Sequence, residues 1–510
     1  MHVTEDMPVL VGAGQLTSKS PPGDAPTPLE MIVDVARRAA RDAGLDEARL
    51  AQVDTIANTR LAIDSAKIGD FGFGRYGNLP ADVAAALGAR PRAGYYCGAG
   101  GDTPQMLVNE MAERIAQGDS DIVLLAGSEN LATLMAAVKA GVKIDWNGRA
   151  TGDPLDIGTM KPGCNEHEKQ YGLFLPINTY PLFENALRAK AGRSMADHQR
   201  FLGELFAPFS QVAAGNPHAW FPVARSAEEI AAVSPQNRMI GFPYTKYMNA
   251  VIQVDMAAAL LLMSAGTARR LGIDRSRWVF LNGCAQATDH WHVSERRDYT
   301  SSPAMKRCGG EALRMAGLSI GDLSYFDLYS CFPSAVQIAC AEFGIATNDA
   351  RGLTRTGGLP YFGGPGNNYG MHAIAEMMNC LRATPGAHGL VNANGWYLTK
   401  HAVGVYSTEP RQAQWQRVAP AAYQRELDAM PKPAFTETPS GAATIETYTV
   451  THGPAGPQQG IVVGRLGDGT RFLAHTPPDA AMLDALMRAE GVGRAGVVSH
   501  QNGRNVFRLA

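Results

Sequence analysis

Ala43-Gly44-Leu45, followed by Leu50, Val53 and Asp54, returns further along the chain as Ala316-Gly317-Leu318, followed by Leu323, Phe326 and Asp327 at identical spacing. A second set recurs at a constant offset of its own. Gly118, Ile122-Val123 and Ala126-Gly127 come back as Gly386, Leu390-Val391 and Asn394-Gly395. Both sets have the form of a glycine that stops a helix and an apolar strand that follows it, so the chain carries two copies of one α/β unit. The period is far longer than a solenoid repeat, which points to two similar domains about a pseudo-twofold axis.

Working outward from the first copy, Val9-Leu10-Val11 reads as a short buried strand that breaks at Gly12-Ala13-Gly14. That turn lacks the third glycine of a dinucleotide fingerprint, since Thr17 stands there, and it reads as a plain strand end. A helix follows from about Leu29, with Ile32, Val35, Ala36, Ala39 and Ala43 at helical spacing and Gly44 as its stop. Pro104 to Gln117 forms a further helix that feeds the strand Ile122 to Ala126. Ala132 to Gly241 is dotted with prolines and aromatics and reads as inserted helices and loops able to cap a site. After Thr408 a proline-rich linker runs through Ser440 with one helix between Gln412 and Met430. The alternation Thr444 to Val450, hairpin turns at Gly467-Asp468-Gly469 and Gln501-Asn502-Gly503, and a helix from Asp479 to Glu490 then spell a small OB-like β-barrel. The expected division is 1–131 with 242–275, an insertion 132–241, a second half 276–408, a linker 409–440 and a terminal domain 441–510.

Of 510 residues, 46 are Lys or Arg and 48 are Asp or Glu, a net charge of -2 that disfavours nucleic-acid and polybasic membrane partners. No stretch reaches the roughly 18 apolar residues of a spanning helix, and Met1 to Pro8 lacks the features of a targeting segment, so a cytoplasmic protein is expected. Seven cysteines lie scattered without a CxxC pair, against a disulfide framework or structural zinc. Cys164 with His167, and His290 with His292, have no nearby partners that would complete a metal site, and no metal is expected.

A duplicated α/β unit with an inserted loop region, and a helix ending in Gly118-Asp119-Ser120-Asp121, resembles the thiolase superfamily. Tyr329-Ser330-Cys331-Phe332 sits where sterol-carrier-type thiolases have His-Asp-Cys-Phe, and Gly363 to Gly370 is similar to the Gly-His-Pro loop. Val254 to Ser264 is similar to the apolar helix near the domain junction. More narrowly, Gly100 to Gln105 and the extra C-terminal domain resemble thiolase-like proteins of type 1, a branch of acetyl-CoA acetyltransferase type. The resemblance implies a thiolase-like duplicated five-layered αβαβα core over residues 8 to 408, with the inserted loop domain and the small barrel added. It also implies a homodimer paired through the sheet of the nucleophile domain, and a coenzyme A thioester as substrate with no tightly bound cofactor.

Aligned on that resemblance, the thiolase nucleophile falls on Gly101, the Gly-His-Pro histidine on Gly364, the second cysteine on Asn394 and the oxyanion-hole Asn or His on Tyr329. Claisen transfer needs a thiolate to carry the acyl group and an acid/base for the α-carbon, and glycine supplies neither. Cys97 is a relocated nucleophile if the turn carries an insertion, or a buried strand-end cysteine. Tyr329, Tyr369, His372 and Asn394 form the best polar constellation, with Tyr369 the repeat partner of Gly101 and Asn368 a second amide able to polarise a thioester carbonyl. Cys331 reads as structural, and Lys400-His401 as pocket lining or a strand end. Arg193, Arg238 and Lys246 are the candidate phosphate-binding cations. These residues suit an acyl-CoA acyltransferase-type protein acting on the carbon–carbon bond beside a CoA thioester. Two variants stand beside it: a retro-aldolase without an acyl-enzyme, and a non-catalytic acyl-CoA or lipid-binding scaffold.

Overall fold

The computed structural model describes residues 3–65, 72–411 and 413–510. In chain order the strands are β1 (Pro8–Thr17), β2 (Thr55–Asn58), β3 (Ala93–Cys97), β4 (Ile122–Asn130), β5 (Leu155–Ile157), the short pair β6 (Met239–Gly241) and β7 (Tyr244–Thr245), β8 (Asp255–Ser264), β9 (Val279–Thr288), β10 (Tyr325–Asp327), β11 (His388–Gly395) and β12 (Lys400–Ser407). The main sheet runs β10-β11-β12-β9-β1-β8-β4-β2-β3-β5. It is two copies of one order, β1-β8-β4-β2 and β9-β12-β11-β10, meeting where Val9 pairs with Phe280 and Leu10 with Val279. Helices α2 (Thr103–Ala116) and α5 (Tyr369–Ala383) pack on each other between the halves, and α1 (Pro28–Asp42) and α4 (Pro303–Ala316) lie outside β1 and β9. This is the five-layered thiolase-like core.

The strand read as ending at Gly12 continues through Thr17, with an irregularity between Leu10 and Gly12. The glycines are there for the helix above. A Cβ on Gly12 would lie 2.0 Å from the Ala39 carbonyl oxygen, and one on Gly14 2.1 Å from that of Val35. The second half repeats the device, since a Cβ on Gly283 would lie 1.9 Å from the Ala312 carbonyl oxygen. Glycine therefore sets how closely each outer helix approaches its sheet.

Val254 to Ser264 is likewise not the apolar helix of the resemblance: from Asp255 on it is strand β8, every residue of it buried. It pairs antiparallel with β1 on one side and β4 on the other, and both of its faces are covered. A strand buried on both faces reads as a continuous apolar run, which periodicity cannot separate from a buried helix.

The C-terminal strands β13 (Gly441–Gly453), β14 (Gly456–Leu466), β15 (Arg471–His475), β16 (Ala495–Gln501) and β17 (Arg504–Leu509) close a ring, β13-β14-β15-β17-β16 and back to β13. The β15–β17 contact is parallel and a helix, Ala480–Arg488, separates β15 from β16, the five-stranded OB arrangement. The barrel is tied to the insertion. Thr451 pairs with Gly241 of β6, Arg188 makes two bonds of 2.7 and 2.8 Å to Glu490, and Asn185 bridges the Phe242 and Tyr448 carbonyls. Arg471, fully buried, binds Glu446 and the Ser294 and Arg296 carbonyls of the second half. The linker helix α6 falls on Pro420–Asp428, while Gln412 lies outside the described residues. Among the described residues no helix is long and apolar enough to cross a membrane.

The outer edge of β3 is occupied by β5 of the same chain through Tyr95–Leu155, Tyr96–Asp156 and Cys97–Ile157.

Candidate active site

β3 ends at Cys97 and α2 begins at Thr103, so the turn between them delivers Gly100 and Gly101 to the helix N-terminus at the centre of the molecule. Gly100 has a φ of 145° and its N–H donates to Asn367 Oδ1 at 2.7 Å. Asn367 Nδ2 in turn donates to the Arg60 carbonyl at 2.6 Å, which stitches the second-half loop to the first half. From the other side Lys400 Nζ donates to the Ala99 carbonyl at 2.6 Å and lies 3.0 Å from Asp102 Oδ1, a pair that is nearly inaccessible. A pocket of about 270 Å³ reaches Asp102, Lys400 and His401 from the side of α6.

Tyr329 closes the turn from above. A Cβ on Gly101 would lie 2.0 Å from the Tyr329 hydroxyl and 2.7 Å from the Asn394 carbonyl oxygen. The phenol thus fills the space that any side chain at position 101 would enter. Burial pushes the Tyr329 phenol well above its usual pKa of 10, so at neutral pH it is a hydrogen-bond donor and not a base. Tyr369 meets it edge to face, with ring centroids 5.4 Å apart. The Tyr369 hydroxyl lies 2.6 Å from Thr356 Oγ1 and 3.3 Å from Asp327 Oδ1. Asp327 is the repeat partner of Asp54, and burial raises its carboxyl even though Arg355 and Thr356 donate to it.

The sequence-derived candidates separate into two groups. Tyr329, Tyr369 and Asn394 come together around Gly101. Asn394 Oδ1 accepts from Tyr180 at 3.1 Å, and its buried Nδ2 has no hydrogen-bond partner among the described residues. Cys97 is adjacent but fully buried, and burial raises its thiol, the opposite of what a nucleophile needs. Asn368 is a strut, accepting from Thr59 at 3.2 Å and donating to the Gly127 carbonyl at 2.8 Å. His372 points to β1, where Nδ1 lies 2.8 Å from Gln15 Oε1, and burial pushes it down to about 3. Arg193 stacks on Phe201 at 3.7 Å, while Arg238 and Lys246 are exposed beside the β6–β7 hairpin. Cys331 is buried, its thiol pushed up to about 12.

Four residues of the site were not singled out by the sequence for the parts they play. Asn367 precedes the asparagine that was chosen. Asp102 was seen only within a family motif, and Lys400 only as lining or a strand end. Glu129, buried under Gly366, accepts from the Ala62 N–H at 2.7 Å, and burial pushes its carboxyl up to about 8. It follows the repeated Ala126-Gly127, the one signal that could have found it.

Comparison with known proteins places these features. Residues 285–408 match the thiolase C-terminal domain-like family, and residues 423–503 match the thiolase-like protein type 1 additional C-terminal domain. The chain is similar along its whole length to the crystal structure of a monomeric SCP2-thiolase-like protein type 1 from Mycobacterium smegmatis, at 40% identity and a TM-score of 0.85, covering 100% of both chains. An aldolase, Ltp2-ChsH2(DUF35), shares the fold at 20% identity and a TM-score of 0.57, over 80% of this chain and 99% of that one. An acetyl-CoA acetyltransferase from Methanothermobacter thermautotrophicus (strain Delta H) is 26% identical over 189 residues, 34% of this chain and 47% of that protein, so the match spans about half the curated relative's length.

Proposed function

The chain belongs to the SCP2-thiolase-like proteins of type 1, and on that premise we propose that it acts on a coenzyme A thioester without forming an acyl-enzyme, by retro-aldol cleavage of a β-hydroxyacyl-CoA. The observation that carries the reading is the Tyr329 hydroxyl filling the side-chain space of Gly101. A nucleophile has no room there, whereas a neutral phenol held in a dry site is suited to stabilise an enolate oxygen.

In that reaction the β-hydroxyl loses its proton, the Cα–Cβ bond breaks, and the β-carbon becomes a carbonyl. The electron pair passes into the thioester enolate, which then takes a proton at the α-carbon. Tyr329 donates to the enolate oxygen and the unpartnered Asn394 Nδ2 is the second donor. The Asp327 carboxylate accepts the β-hydroxyl proton through the Tyr369 and Thr356 hydroxyls and returns it by the same route to the α-carbon. The aldolase of the same fold supports the reaction class, and the acetyltransferase relative supports the thioester.

A second reading, a non-catalytic acyl-CoA-binding scaffold, draws on the same burial that holds Tyr329 as a neutral phenol and raises Tyr369. Intact-mass spectrometry after incubation with acyl-CoAs, with calorimetry alongside, separates these. No adduct, thioester binding, and β-hydroxyacyl-CoA cleavage lost in Tyr329→Phe are expected. An acyl group trapped on Cys97 sinks the retro-aldol reading, and binding with no turnover leaves the scaffold.

A further inference from the structure

Between helix α3 (Met195–Gly215) and the loop 347–354 lies a cavity of about 360 Å³. Phe201, Leu205, Phe209, Val212 and Leu353 give it an apolar wall. The charged residues that line it, Glu204 and Asp349, are both acidic, and Asp349 is held by Arg351 at 2.7 Å. Such a lining accepts a neutral hydrocarbon and disfavours an anionic head.

The inner wall of the cavity backs onto the site. A Cβ on Gly358, whose φ is 79°, would lie 2.7 Å from Phe209 Cδ1 and 2.6 Å from Ser330 Oγ. Ser330 is the neighbour of Tyr329, so the Phe209 end of the cavity and the Tyr329 segment meet across Gly358, which has no side chain to hold them apart. On the other flank Thr354, also lining the cavity, donates to Asp327 Oδ2 at 3.1 Å, the carboxyl that meets Tyr369.

We propose that this cavity receives the acyl tail of the substrate, the carbons beyond the reacting Cα–Cβ bond, and makes the protein selective for medium-length acyl groups, with Phe209 at the end of the cavity that meets Gly358. The proposal rests on the CoA-thioester reading.

Calorimetry with acetyl-, hexanoyl- and decanoyl-CoA tests it, with 1-decanol as a probe that carries no coenzyme A. Affinity of the wild type should rise with each added methylene, by up to about fourfold. Val212→Trp, at a partly exposed position, fills the cavity and should flatten that dependence while leaving acetyl-CoA binding unchanged. Phe209→Ala should shift the preference to longer tails, and serves where Val212→Trp does not fold. Chain-length dependence retained in Val212→Trp, or absent in the wild type, overturns the proposal while the CoA reading stands. Decanol binding abolished by Val212→Trp, with no CoA thioester bound at all, overturns both the CoA reading and the tail assignment but identifies the cavity as a hydrocarbon site. Binding of neither probe overturns the cavity as well.

Discussion

The hydroxyl of Tyr329 and the missing side chain of Gly101 compete for one volume: a Cβ on Gly101 would lie 2.0 Å from that oxygen. Gly101→Cys therefore cannot restore a thiolase by itself. It should destabilise the fold by about 3 kcal/mol through overpacking and show no acyl-enzyme. Combined with Tyr329→Ala the destabilisation should shrink, a coupling that a double-mutant thermal-melt cycle measures. Additive costs would show that the two residues do not share the space.

His372 and Glu129 give stability opposite dependences on pH. His372 falls from 6.5 to about 3 in the fold, so the unfolded chain binds its proton first and stability is lost as pH drops below 6.5. Glu129 rises from 4.5 to about 8, so the folded state keeps its proton longer and stability is lost as pH climbs from 4.5 through 8. Each effect is on the order of a few kcal/mol. Glu129→Gln should flatten the melting temperature between pH 5 and 9, and His372→Gln the acid limb. An alkaline decline surviving in Glu129→Gln would rule out that carboxyl as its source.

Gly12 and Gly283 perform the same task in the two halves, so Gly12→Ala and Gly283→Ala should cost similar amounts, about 3 kcal/mol each. Denaturant unfolding reads both. A neutral Gly12→Ala would mean that α1 can lift from β1 freely.

Arg471→Ala leaves Glu446 with only the more exposed Arg465, at 3.0 Å, and strips two carbonyls of a donor. A loss of ~2–3 kcal/mol is expected, together with faster proteolysis in the linker 409–440. Unchanged proteolysis would mean that the barrel is held elsewhere.

Light scattering should return the mass of a single chain, because β5 already pairs with the β3 edge. A dimer would require another surface.

Much of the fold was legible because Ala43-Gly44-Leu45 and its echo are local signals, a helix stop and the strand beyond it. The errors at Gly12 and Val254–Ser264 have one cause. Both segments answer to neighbours distant in sequence, the Ala39 carbonyl and the β1–β8–β4 pairing, and neither leaves a mark in its own spacing. The site was half legible for the same reason. Tyr329 and Asn394 lay on family motifs, whereas Asn367, Lys400 and Glu129 matter through backbone groups of other segments.

The barrel closes onto a hairpin made much earlier in the chain, Gly241 of β6 waiting for Thr451. During synthesis, at ~5–20 residues per second, that hairpin, Arg188 and Asn185 emerge from the ribosome long before the strands that satisfy them. Any chain cut short before residue 441 therefore leaves Gly241 without its β13 partner, Arg188 without Glu490 and Asn185 without the Tyr448 carbonyl, so the insertion can be completed only by the last strands to be made.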